Sequence, residues 1–174
     1  MKKSLLLVAV AALFAVSFTS CNNDKTYTEL LTQSKGWVLS AASTSPSYLL
    51  SDGSYATDLI NDGYLYAYEV DDIITFTENG AETINPGKLI DASAGYQAEV
   101  ATTWSFDNVD NPTTITMQLP FFYNEAGTSY DSEAETCSIL SLTSSEFRIK
   151  YTFNAAEPSA KETYSFTLTY VPAK

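Results

Sequence analysis

Phe147-Arg148-Ile149-Lys150-Tyr151-Thr152-Phe153 and, one short connection later, Thr163-Tyr164-Ser165-Phe166-Thr167-Leu168-Thr169-Tyr170-Val171 decide the fold of this chain. In both stretches every second residue is aromatic or aliphatic, and the residues between are Thr, Ser, Arg or Lys up to the closing Val171. Successive side chains of a β-strand point to opposite faces, so this period of two gives each strand one apolar and one polar face. Tyr164, Phe166, Leu168 and Tyr170 then share a face, and Arg148 and Lys150 fall on the solvent side of theirs.

Working outward, the same signature recurs at Trp37-Val38-Leu39 and at Tyr64, Tyr66 and Tyr68, which alternate with Leu65, Ala67 and Glu69. It recurs again at 73–77, 98–106, 113–122 and 136–142, with clusters of Gly, Pro, Asn, Asp or Ser between. Eight or nine strands fit. Thr143-Ser144-Ser145-Glu146 is short enough for a hairpin, and Asn79-Gly80 readily takes positive φ. No long stretch between the strands has helical periodicity, which argues against a parallel βαβ sheet. The expected fold is therefore all-β, a single antiparallel up-and-down β-barrel of about eight strands over residues 36–174. A barrel is favoured over a sandwich because closure hides the edges of strands as hydrophobic as 113–122. Trp37, Ile74, Phe76, Trp104, Ile149 and Phe166 are the expected core.

Ahead of the barrel, Met1-Lys2-Lys3 is followed by a twelve-residue uncharged, mostly apolar run over 5–16 and a small polar stretch over 17–20. That is the layout of a signal peptide, and it is too short for a span, which needs about 20 apolar residues. Phe18-Thr19-Ser20-Cys21 resembles the bacterial lipobox, with Phe18 where Leu is usual. The resemblance implies that residues 1–20 are removed and that Cys21 becomes a lipid-bearing first residue; 21–35 then reads as a polar tether with a short helical turn through Thr28-Glu29-Leu30-Leu31. Several acyl chains, at about 0.8 kcal/mol per buried CH₂, would hold the domain at a membrane, with the outer membrane of the cell envelope the expected place.

Charge and residue types exclude several functions. Without Lys2 and Lys3 the basic count falls from 9 to 7 against 21 acids, a net charge of −14. Nucleic acid binding, which needs clustered Lys and Arg, is disfavoured. The chain has no histidine, so Ser-His-Asp and Cys-His nucleophiles are ruled out, and no phosphate or dinucleotide loop is present. Zinc is disfavoured by the same absence together with a single unlipidated thiol, Cys137, which reads as a small buried core residue. Asp71 and Asp72 are adjacent on a strand and point apart, so they read as a strand entry and not as an acid and base pair. Asp107-Asn108-Val109-Asp110-Asn111 lacks calcium-loop spacing and reads as a turn before Pro112. No catalytic residue, metal or cofactor is expected, and the domain is expected to be monomeric.

The segments Gly36-Trp37-Val38-Leu39, Asp71-Asp72-Ile73-Ile74-Thr75-Phe76-Thr77-Glu78-Asn79-Gly80, Trp104-Ser105-Phe106 and Ile139-Leu140-Ser141-Leu142-Thr143 resemble the lipocalin-like domains of Bacteroidota lipoproteins. Many members carry a cysteine pair around the double-aspartate strand, which this chain lacks. The resemblance spans most of 36–171 and implies a small up-and-down barrel, with no catalytic residues to carry over.

Aromatic content carries the functional expectation: 12 Tyr, 9 Phe and 2 Trp. Tyr64, Tyr66 and Tyr68, read as three rings on one strand face, are the candidate ligand-binding residues. They suit a small apolar or sugar-like ligand that is bound without being changed. An interaction or assembly accessory of the envelope is the alternative, and a glycosidase using two carboxylates is the third reading.

Overall fold

The computed structural model describes residues 25–33, 35–89, 100–120, 134–154 and 163–174. The expected signal peptide, Cys21 and the ends of two expected strands (98–99 and 121–122) lie outside these residues. In chain order the elements are α1 (Tyr27–Leu31), β1 (Trp37–Leu49), β2 (Tyr55–Asp58), α2 (Ala67–Val70), β3 (Ile73–Phe76), β4 (Ala81–Asn85), β5 (Val100–Thr103), β6 (Ser105–Phe106), β7 (Thr114–Met117), β8 (Glu135–Leu142), β9 (Phe147–Asn154) and β10 (Thr163–Pro172).

All strand pairs are antiparallel, in the order β5-β4-β3-β1-β10-β9-β8-β7-β6, with β2 also on β1. Two features turn this path into a nearly closed barrel. β5 and β6, its two ends, are consecutive in the chain and separated by Trp104 alone. The Trp104 N–H still donates to Gly80 O on the β4 side (2.9 Å), while Ser105 already pairs with Thr116 of β7. β2 and β3 likewise share one edge of β1, with β2 opposite Ser43, Tyr48 and Leu49 and β3 opposite Trp37 and Val38. Counting each of these as one interrupted strand, the barrel has eight staves in sequence order. That is the architecture the alternation predicts.

The local reasons are legible. Gly36 enters β1 at φ 70°, and a Cβ there would lie 2.7 Å from Ile74 O, so only glycine fits. The Asn79-Gly80 hairpin closes with Thr77 N–H to Ala81 O (2.9 Å) and Gly80 at φ 85°. In the 143–146 hairpin Thr143 N–H donates to Glu146 O (2.8 Å), and the Thr143 hydroxyl accepts from Glu146 N–H (3.0 Å). β10 pairs with β1 only as far as Ser45, because Pro46 has no N–H to give. Beyond that point β1 continues with β2 alone.

Inside, all six expected core residues are buried. Trp37 lies 5.7 Å from Phe147, which contacts Phe76 at 6.1 Å and stacks on Tyr170 at 5.7 Å (ring centroids). Arg148 is exposed and Lys150 half-buried, between buried Phe147 and Ile149.

The helical turn expected at 28–31 is present as α1, capped reciprocally by Thr26 and Glu29; its Leu31 is fully buried, and Leu31 O accepts the Trp37 indole N–H at 2.8 Å. The helix closes one end of the barrel. One expectation needs correction: the stretch 64–68 is not a strand. It belongs to an insertion over 59–72 within the second stave, where turns and α2 replace extended chain.

Candidate functional site

The insertion is held by carboxylates. Asp58 Oδ1 accepts from the N–H groups of Ile60 (3.1 Å) and Asn61 (3.0 Å), and Asp62 Oδ2 accepts from those of Thr57 (2.7 Å) and Asp58 (2.9 Å). Glu69 Oε2 accepts from Tyr66 N–H at 2.6 Å, which starts α2. These bonds outweigh the strand propensity of the tyrosines, because Asp and Asn offer backbone N–H groups a partner that no extended neighbour supplies here. Burial pushes the Glu69 carboxyl up to about 7, against the pull of its backbone hydrogen bond and with a contribution from Asp72.

The three tyrosines therefore do not form one face. Tyr64 turns inward and meets Tyr48 edge-on at 5.2 Å and Phe166 at 5.5 Å. Tyr66 is 59% exposed and stacks on Tyr68 at 5.4 Å with ring planes 7° apart. Tyr48, which the sequence reading passed over, is the centre of the group, with Tyr164 at 5.1 Å, Phe166 at 5.8 Å and Phe153 at 6.3 Å. Its signal was the Tyr48-Leu49-Leu50 run, hidden behind the Ser- and Thr-rich 40–47.

Tyr48, Tyr64 and Tyr66 line a cleft of about 590 Å³ at the barrel end where β1 leaves and β10 begins. Its other walls are the β1–β2 turn, Leu49 to Asp52, and Asp62 with Gly63. Ligand sites of roughly 300–1,000 Å³ with aromatic walls and a few placed polar groups are the usual form. Tyr68 stands behind Tyr66 and is not part of the wall.

A second polar group lies deeper. Glu82, fully buried on β4, accepts from Gln118 N–H at 2.9 Å through Oε2. Its Oε1 and the hydroxyl of Tyr170 are buried with no hydrogen-bond partner among the described residues. Burial pushes Glu82 up to about 8, and it raises Tyr170 as well, with Cys137 and Glu82 adding to the effect. Cys137 is buried and pushed up to about 12 by burial, then by Glu135 and Glu82. A thiol held there is a thiol at neutral pH and a poor nucleophile.

The other acidic candidates are structural. Asp71 Oδ2 accepts from Lys88 N–H (2.7 Å) and Leu89 N–H (2.9 Å), and Asp72 Oδ1 from Gly87 N–H (3.4 Å), so both fasten one loop to the start of β3. Asp107 Oδ1 accepts from Thr113 and Thr114 N–H (2.9 and 3.0 Å), and hydrogen bonds from Thr113 and Thr114 hold its carboxyl down at about 2. Among the described residues, no three His, Cys, Asp or Glu side chains are placed to hold a metal ion.

The fold and cleft define a meander β-barrel with an aromatic mouth. No protein-family model matches the chain, and no curated protein matches it. Among solved structures it is similar to an odorant-binding protein from bovine nasal mucosa, with 12% identity and a TM-score of 0.41 over 88% of this chain and 77% of that one. Nothing about ligand or activity passes to this chain from a likeness at that level.

Proposed function

We propose that this chain is an envelope lipoprotein, anchored through Cys21, whose barrel mouth holds a small apolar or sugar-like ligand and releases it unchanged. The cleft formed by Tyr48, Tyr64 and Tyr66 carries this reading. Tyrosine suits a binding wall because its ring gives apolar contact and its hydroxyl a hydrogen bond, with few rotatable bonds to immobilise. The high Cys137 value and the lack of histidine support a binding role over a nucleophilic enzyme.

A thermal-shift screen of the domain from residue 22 onward, against glycans and lipids, tests the site. A ligand at 100 times its Kd adds about 2.7 kcal/mol to stability, and about 2–4 °C of Tm follows per kcal/mol for a domain this size. Tyr66→Ala, at an exposed position, should leave the unliganded Tm nearly unchanged and abolish the shift. A shift that survives Tyr66→Ala places the ligand elsewhere. Leu49 (52% exposed), in the cleft wall, and Tyr55 (66%), opposite it on β2, favour a protein partner as the second reading. A screen without any shift, alongside a partner cross-linked through Tyr55, would support it.

The anchor is tested by labelling cells with radioactive palmitate. Wild-type protein should take up label and sediment with membranes, and Cys21→Ser should do neither. Labelled, sedimenting Cys21→Ser protein would refute the anchor.

A further inference from the structure

We infer that the mouth cleft selects a hydroxyl-rich oligosaccharide without negative charge and rejects anionic ligands, because its polar wall, among the described residues, consists of hydroxyls and two fixed carboxylates with no cation. This rests on the cleft being the binding site.

The two carboxylates are Asp52, at the tip of the β1–β2 turn, and Asp62, across from it in the insertion. Each is oriented by hydrogen-bond donors. Asp52 Oδ1 accepts from Ser54 N–H (2.9 Å) and Ser54 Oγ–H (2.7 Å). Asp62 Oδ2 accepts from Thr57 N–H (2.7 Å) and Asp58 N–H (2.9 Å). Among the described residues Asp52 Oδ2 accepts no hydrogen bond, and the Thr57 side chain adds a further donor to the Asp62 carboxylate. The same donors hold both carboxyls below the usual carboxylate range, chiefly the Ser54 hydroxyl for Asp52 and the Thr57 N–H for Asp62. Two ionised acceptors therefore face the cleft in set directions, and an ionised carboxylate accepts hydrogen bonds without donating any.

The ligand must supply the donors. Sugar hydroxyls do so, and a charge-assisted bond to carboxylate is about twice as strong as a neutral one. The exposed ring of Tyr66, with Tyr64 beside it in the wall, provides the apolar contact that a pyranose face needs. A uronic acid or a fatty acid would bring a third negative charge against two fixed ones, in a chain whose net charge is already −12. A cleft of about 590 Å³ with hydroxyls distributed around it is also larger than a lone ammonium group requires.

Calorimetric titration of the domain from residue 22 onward decides the matter with six probes: cellotetraose, maltotetraose, chitotetraose, tetragalacturonate, tetraglucosamine and palmitate. At least one of the first three should bind, and tetragalacturonate and palmitate should bind at least about tenfold more weakly. Asp52→Asn and Asp62→Asn keep an acceptor oxygen for the turn and place an amide where the second oxygen stood. Each should lower affinity at least about tenfold while lowering Tm only slightly. Tetraglucosamine, which brings both donors and positive charge, should bind at least as well as the neutral probes. Equal or tighter binding of tetragalacturonate or palmitate, unaltered affinity in both Asn variants, or no binding of any of the four other probes overturns the inference. Tyr66→Ala separates the two levels. If it abolishes binding of an anionic probe, the cleft stands and the proposed ligand class falls; if a probe binds and Tyr66→Ala leaves it untouched, the cleft itself falls.

Discussion

Glu82 is a carboxyl placed where only a neutral one is comfortable. It is fully buried, one oxygen is met by Gln118 N–H, and the groups that share its surroundings are Tyr170 and Cys137, both of which burial holds in their neutral forms. Its folded value of about 8 stands above the ordinary 4.5. The folded state therefore binds a proton that the unfolded chain has released between these values. The stability this gives is complete below pH 4.5 and is lost as pH rises through 8. Glu69, raised to about 7, acts in the same direction. Thermal unfolding should thus show a Tm that falls between pH 5 and pH 9, with Glu82 accounting for roughly 3–5 kcal/mol. Glu82→Gln keeps the acceptor for Gln118 N–H and removes the titration, so its profile should be markedly flatter. A variant profile as steep as that of the wild type would show that Glu82 is not the group responsible.

α1 has five residues and would not persist alone, since isolated helices shorter than about 12–15 residues are marginal in water. It persists because Leu31 enters the core and Leu31 O takes the Trp37 indole N–H. Leu31→Ala should cost about 2–5 kcal/mol in urea unfolding, with the β-type circular dichroism retained; a cost below about 0.5 kcal/mol would mean the helix end is not a plug. How far each element was legible follows from the same physics. β9 and β10 were readable because large aromatic or aliphatic residues mark every inward position. β2, β4 and most of β1 were not, because small or polar residues such as Ala42, Thr44, Ala56 and Glu82 face inward there, and nothing in their chemistry announces burial. The Tyr64-to-Tyr68 stretch misled because its alternation mimics a strand, whereas Asp58, Asp62 and Glu69 bind the backbone from outside the stretch and close it into turns. Of the site, Tyr64 and Tyr66 were legible as tyrosines. Tyr48, Asp52 and Asp62 join them only through the β1–β2 hairpin and the insertion, a proximity that no local pattern records.

At the scale of the whole barrel, neighbouring staves are mostly joined by short connections, but two seams close the ring. One pairs Trp37 with Pro172, bringing together opposite ends of the fold at the cost of a long loop closure. The other is the bend at Trp104, where one stretch of chain leaves β4 and joins β7. Trp104 holds that bend in three ways. Its backbone N–H bonds Gly80 O, its indole N–H donates to Thr77 O at 3.0 Å, and its ring lies edge-on to Phe76 at 5.8 Å and Phe106 at 5.0 Å. β6, with only two residues, has little pairing of its own with which to keep the seam shut. Trp104→Ala should therefore do more than leave a cavity worth about 3–5 kcal/mol. It should lower the free energy of opening locally at this seam, so that amide hydrogen exchange accelerates first in β5, β6 and β7, while β9 and β10 retain protection set by global unfolding. If exchange instead rose by one common factor in all strands, Trp104 would be an ordinary core residue, and the barrel would open as one cooperative unit with no weak seam at this bend.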